Sequence, residues 1–139
     1  MTKVSMAHGA GGRSMQRLLR ERVLPHLLTD QGEVPLSALD DSGVIDDIVL
    51  TTDSHTVKPL FFPGGDIGSL SVAGTVNDIS VMGATPIALS LAIVAEEGLD
   101  ADDLEMIARS IGATARKAGV PIITGDTKVV ERGAVDKLI

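Results

Sequence analysis

Read by the spacing of its apolar positions, the chain opens on a short extended stretch, Lys3 to Ala7, that leads into the loop His8-Gly9-Ala10-Gly11-Gly12. Beyond the loop, Met15, Leu18, Leu19 and Val23 recur at helical spacing, with Ser14 placed as N-cap and Pro25 placed to end or kink the helix. Residues 29–47 are rich in turn formers and acids and read as a connection, with a short strand around Val44 and Ile45. The run Ile48-Val49-Leu50-Thr51-Thr52 is apolar and β-branched, which predicts a buried strand ending at Asp53. Phe61 to Gly65 read as a loop, and Asp66 caps a helix reaching about Met82. In that helix Ile67, Leu70, Ala73, Val76, Ile79 and Met82 fall at every third position, while Gly68, Ser71, Gly74 and Ser80 keep other faces small enough for close packing.

Pro86 begins a strand through about Val94. Asp100 then caps a helix with Asp102 and Asp103 in its first turn, Leu104, Ile107, Ile111 and Ala115 on one face, Arg116 and Lys117 in its last turn and Gly119 behind it. A last strand, Val120 to Thr124, runs into Gly125-Asp126-Thr127-Lys128. Helices and strands in this order predict an α+β fold, helices packed on a mixed sheet, as one domain over residues 1–139.

Composition narrows what such a domain does. With 44% hydrophobic residues the chain is ordinary globular material. Its longest apolar run, Ile87 to Ala95 broken by Ser90, is about half of the ~20 residues that cross a bilayer. The N-terminus carries no charged-then-apolar signal. The expectation is a soluble, cytoplasmic protein with no membrane partner. The absence of cysteine excludes disulfides, thiolate metal sites and a thiol nucleophile from this chain. A net charge of -7, no Trp or Tyr and only two Phe argue against nucleic acid, which needs cations for phosphates and rings for bases. An acidic protein still binds a polyphosphate when its carboxylates hold magnesium, because the ion reverses the local charge.

The aspartates therefore matter most. Asp41, Asp53, Asp78 and Asp126 stand at element ends or break a local rule, and carboxylate oxygens are the hard donors that magnesium prefers. Asn77 and Asp78 are poor helix formers inside a helix that is otherwise apolar or small. Asp53 and Asp126 each follow an apolar strand, where a side chain emerges into a cleft; an ordinary turn carboxylate is the alternative for Asp41 and Asp126. Lys128 can meet a phosphoryl group as a point charge or stand as a solvated surface group. Gly9, Gly11 and Gly12 offer free N–H groups before a helix, matching neither the dinucleotide fingerprint nor the Walker pattern, and a flexible entry to the helix is the alternative. His8, His26 and His55 lack metal-ligand spacing.

Six segments taken in order closely resemble the HypE family: His8-Gly9-Ala10-Gly11-Gly12, Thr51-Thr52-Asp53-Ser54, Pro59 to Gly68, Gly74 to Asp78, Glu96-Glu97-Gly98 and Gly125 to Val130. The Pro-Leu-Phe-Phe-Pro-Gly-Gly and Gly-Asp-Thr-Lys-Val-Val pieces are particular to that family. The Thr-Asp and Asn-Asp pieces are shared with aminoimidazole ribonucleotide synthetase, selenophosphate synthetase and thiamine monophosphate kinase. The resemblance implies a domain like the N-terminal domain of aminoimidazole ribonucleotide synthetase, dimerising through sheets paired into a shared barrel. It implies ATP-dependent dehydration of a thiocarboxamide, carried on a C-terminal cysteine, to a thiocyanate that supplies cyanide to nickel-iron hydrogenase.

By the same resemblance, Asp41, Asp53, Asp78 and Asp126 surround magnesium, with ATP contacted by Gly9, Gly11, Gly12, Asp53, Asn77, Asp126 and Thr127. Lys128 and Asp78 then stand near the reacting centre. Implied partners are a second copy, the carbamoyltransferase HypF and the HypC–HypD complex. The family's second α/β domain and carrier-cysteine tail are absent from these 139 residues, so the expectation is an ATP-site half with weak or no turnover alone. Two alternatives stay open: a small-molecule kinase or synthetase of the same superfamily, and a non-catalytic dimerisation module. The lack of a cysteine near the N-terminus counts against a selenophosphate synthetase.

Overall fold

The structure, a computed structural model, describes residues 3–139, and the chain divides into two compact units, one ending at Leu50 and the other running from Thr51 to Ile139. In the first unit, α1 (Met6–Gly9) forms where an extended stretch is expected. Ser5 and His8 supply the reason: the Ser5 N–H donates to His8 Nδ1 at 3.1 Å, a reciprocal cap that closes one helical turn. The next helix, α2 (Gly12–Arg22), is capped by Gly11 and not by Ser14. Gly11 has φ 73°, a left-handed conformation that glycine enters without a Cβ clash, so the helix starts three residues early. A single 3-10 turn, Leu24–His26, follows with Pro25 inside it, as expected of a residue that cannot continue the helix.

The hairpin β1 (Gly43–Ile45) and β2 (Ile48–Leu50) pairs Val44 with Val49, turning at Asp46 and Asp47, both at positive φ. The strand expected to be buried is exposed, Ile48 by 63% and Leu50 by 72%. An antiparallel ladder of two strands has nothing of its own to lay over its faces, so an apolar run here does not imply a core position.

The second unit holds the core. A tight hairpin, β3 (Phe61–Phe62) and β4 (Gly65–Asp66), replaces the expected loop; Pro63 followed by Gly64 at φ 94° is the pair a type II turn requires. Asp66 accepts the Ser69 N–H at 2.8 Å and donates its own to Ser69 Oγ at 3.0 Å, starting α3 (Ile67–Val81). The buried residues of α3 are Ile67, Gly68, Val72 and Ile79, whereas Leu70 is 38% exposed. A strict three-residue repeat precesses around a helix of about 3.6 residues per turn, so the series through Leu70 and Ala73 does not share one face.

Next come β5 (Leu89–Glu96), α4 (Ala101–Ala118) and β6 (Ile122–Val130), a parallel strand pair joined through a helix. Asp100 caps α4 by accepting the Asp102 N–H at 2.9 Å, Gly119 ends it in the left-handed conformation, and Ile107, Ile111 and Ala115 are its buried stripe, all as the sequence predicts. Leu89, Leu91, Ile93 and Ala95 of β5 pack with that stripe and with Ile67 and Val72 of α3. At Gly68 a Cβ would come within 2.7 Å of the Ile107 carbonyl oxygen, so the absence of a side chain lets α3 and α4 approach closely. On the other edge of β5, Val94 and Ile139 exchange backbone hydrogen bonds at 3.0 Å, and Leu138 is buried. The expected α+β class is present with small separate ladders, β1 with β2, β3 with β4 and β5 with β6, where one mixed sheet is expected.

One irregularity sets the chemistry of β6. Leu89 pairs with Ile122 and Ser90 with Thr124, so Ile123 is an extra residue opposite none of β5. Beyond it Ala92 pairs with Asp126 and Val94 with Lys128. Paired residues point to the same side of a sheet, so Asp126 and Lys128 lie on the face opposite Leu91, Ile93 and the core.

Candidate functional site

After β2 the chain runs without regular structure from Thr51 to Val57, and this segment, within the second unit, is laid along α3. Thr51 Oγ1 donates to Asp78 Oδ2 at 3.3 Å. Asp53 is exposed by 43%; its Oδ1 accepts the Ser54 N–H at 2.7 Å and its Oδ2 lies 3.2 Å from His55 Nε2. The His55 side chain is only 13% exposed, and a Cβ on Gly74 would lie 2.5 Å from its Nε2. Gly74 and Asp78 are four residues apart, hence neighbours on one stripe of α3. The structure thereby brings Asp53 and Asp78 to the same face of one helix. Asn77 is exposed on α3.

The other predicted residues of this unit lie on β6. Asp126 does not follow the strand, as expected, but sits inside it, because β6 extends to Val130. Its Oδ2 accepts a short hydrogen bond from Lys128 Nζ. That bond, then the ammonium charge, holds the Asp126 carboxyl below the usual carboxylate range. Thr127 pairs with Ile93 and is exposed. In the first unit, Gly9 ends α1, and Gly11 and Gly12 have φ of 73° and 67° with open space where a Cβ would project. Asp41 is exposed there, its N–H donating to Asp40 Oδ1 at 3.0 Å. Among the described residues no three carboxylate or imidazole groups stand close enough to hold one metal ion. Magnesium takes only one or two protein carboxylates and completes its shell with phosphate and water oxygens, so a single carboxylate, Asp53 or Asp78, is enough protein donor for it.

His55 is the residue that sequence reasoning set aside. The usable signal was its position two after Asp53 in an extended segment, which puts both side chains on one side of the backbone.

The fold and the residues gathered along α3 define the class: an α+β domain with two carboxylates, Asp53 and Asp78, placed against one helix by the segment that precedes it. The family of the AIR synthase related protein, N-terminal domain, matches residues 39–139, and the chain belongs to it. The chain is 46% identical to the carbamoyl dehydratase HypE of Escherichia coli across 99% of its own length and 43% of that protein's. It is 49% identical to the hydrogenase expression/formation protein HupE of Azotobacter chroococcum across 96% and 39%. It thus spans about two fifths of the length of these curated relatives. Among solved structures it resembles HypE in a HypE–HypF complex, with a TM-score of 0.79 at 48% identity over 87% of this chain and 39% of that one. It also resembles the hydrogenase maturation protein HypE in complex with ATP, with a TM-score of 0.61 at 48% identity over 98% and 40%.

Proposed function

We propose that this chain is the ATP-binding part of a carbamoyl dehydratase of hydrogenase maturation. The observation that carries the reading is the convergence of Asp53 and Asp78 on α3 through the segment Thr51–His55, in a chain similar over nearly its whole length to an ATP-bound relative. In the reaction, the oxygen of a cysteine-borne S-carboxamide attacks the γ-phosphorus of ATP and ADP leaves. Two protons are then lost from nitrogen as the C–O bond breaks, giving a thiocyanate and inorganic phosphate. The acceptor cysteine belongs to sequence outside this chain, which has none.

Asp41, Asp53, Asp78 and Asp126 are the candidate carboxylates for magnesium and phosphate, and Lys128 the candidate charge near the transferred phosphoryl group. Gly9, Gly11 and Gly12, together with Asn77 and Thr127, are the nucleotide contacts. Magnesium, when bound, would supply Lewis-acid neutralisation of the phosphates.

A second copy is the proposed partner, with sheets paired into a shared barrel. The support is exposed apolar strand surface: Ile123 by 70% and Val129 by 71% on β6. HypF and the HypC–HypD complex are the further proposed partners, HypF because a relative is solved bound to it. Among the described residues no helix is long and apolar enough to cross a membrane, which agrees with action in the cytoplasm.

The test uses the full-length protein, carbamoylated at its carrier cysteine, with magnesium and ATP. Loss of the mass of one water from the carrier peptide, with one ADP per event, is the expected result; phosphorylation of a free metabolite with no change at the carrier would replace this reading with the kinase alternative.

A further inference from the structure

We infer that His55 is a positioning residue for Asp53, seated on the bare backbone of Gly74 so that its Nε2–H fixes the direction of the carboxylate toward a magnesium nucleotide. The inference rests on the proposed nucleotide site and names a group within it. His55 lies in an exposed stretch, flanked by exposed Ser54 and Thr56, yet its side chain is 13% exposed. Its ring reaches this cover because Gly74 has no side chain: a Cβ there would stand 2.5 Å from Nε2 and 3.3 Å from Cε1. The ring edge on α3 is the edge that meets Asp53 Oδ2, at 3.2 Å.

Asp53 has a neighbour at each oxygen: the Ser54 N–H donates to Oδ1 at 2.7 Å, and His55 Nε2 stands 3.2 Å from Oδ2. A carboxylate so held has lost most of its torsional freedom while keeping further lone pairs on each oxygen for a cation. The neighbouring Asp78 is steadied in the same way by the Thr51 hydroxyl. The segment Thr51–His55 therefore fixes two carboxylates against one helix, and His55 is the only ring in it. Partners that orient a ligating group commonly contribute roughly 10–100-fold in metal affinity.

Two measurements test this in the full-length protein. In the ligand-free protein, nitrogen NMR of the His55 ring is expected to show the proton on Nε2; a proton on Nδ1 alone overturns the inference. Calorimetric titrations then compare magnesium-ATP with ATP in excess chelator for His55→Phe, His55→Gln and Asp53→Asn. His55→Phe, which fills the seat without a donor, is expected to weaken magnesium-ATP binding about tenfold and leave metal-free ATP binding unchanged, while His55→Gln recovers most of the loss. Should the phenyl ring not fit and the protein not fold, His55→Ala set against His55→Gln makes the same comparison. Normal magnesium-ATP binding by the donor-free variants, with Asp53→Asn impaired, would leave the nucleotide site standing and reduce His55 to packing. Normal binding by Asp53→Asn as well would remove both the inference and the site on which it rests.

Discussion

The hydroxyl of Thr51 donates to Asp78 Oδ2 across 3.3 Å, tying the first residue of an irregular segment to the one acidic residue inside α3. A carboxylate in that place is either a functional ligand or an anchor for the segment, and the two uses separate on substitution. Asp78→Asn keeps shape and an acceptor oxygen. It is expected to unfold within about 0.5 kcal/mol of the parent while magnesium-ATP affinity falls at least about tenfold. Paired thermal melts and nucleotide titrations check it: a loss of about 1–3 kcal/mol with unchanged affinity would make Asp78 structural.

Lys128→Met should release the Asp126 carboxyl. Its acidity is enhanced by the Lys128 hydrogen bond and charge, so removing the ammonium raises its pKa toward the ordinary carboxylate value. The linkage has a definite sign. A depressed folded pKa contributes stability above the ordinary carboxylate pKa, and that contribution is lost as pH falls through the depressed value. Carboxyl NMR titration without magnesium should show Asp126 titrating at higher pH in the variant.

Gly68→Ala tests the close approach of α3 and α4. The added methyl would stand 2.7 Å from the Ile107 carbonyl oxygen and 2.9 Å from Ile111 Cγ1, so the helices must part or shift. We expect a loss of about 1–3 kcal/mol in denaturant unfolding, although alanine is the better helix former.

Ile107→Ala should be the most damaging single truncation of the α4 stripe. The side chain is 1% exposed within the cluster that includes Ile67, Val72, Ala95 and Ile111. The expected cost is about 2–5 kcal/mol, read as a lowered calorimetric midpoint.

What the sequence made legible follows from the range of the interactions involved. The boundaries and buried face of α4 were readable because Asp100, Gly119 and the spacing of Ile107, Ile111 and Ala115 act within a few residues of one another. The cap at Asp66 was readable for the same reason. The buried face of α3 was legible in part: Ile67 and Ile79 turn inward as the series has them, whereas Leu70 does not, since which apolar residues turn inward is decided by α4, remote in sequence. Asp53 and Asp78 stood out by position and by a broken helix rule, whereas their meeting on one face depends on Thr51, His55 and a glycine at position 74 acting together. Periodicity carries no trace of such a three-way dependence. The extra residue in β6 was likewise invisible, because a bulge is a property of two strands and not of one.

That extra residue gives the strand a parity. Side chains along β6 have only two addresses, and Ile123 shifts every later position from one to the other. The sidedness of Asp126 and Lys128 is thus written in a count of residues between Val120 and Asp126 and not in the chemistry of any of them. Substitutions at Ile123 preserve the count, so scanning mutagenesis would pass over it. Deleting Ile123 itself would leave Ser90 opposite Thr124 and both charged groups where they are, whereas deleting a paired residue between Ile123 and Asp126 with the bulge kept would turn both toward the side of Leu91 and Ile93.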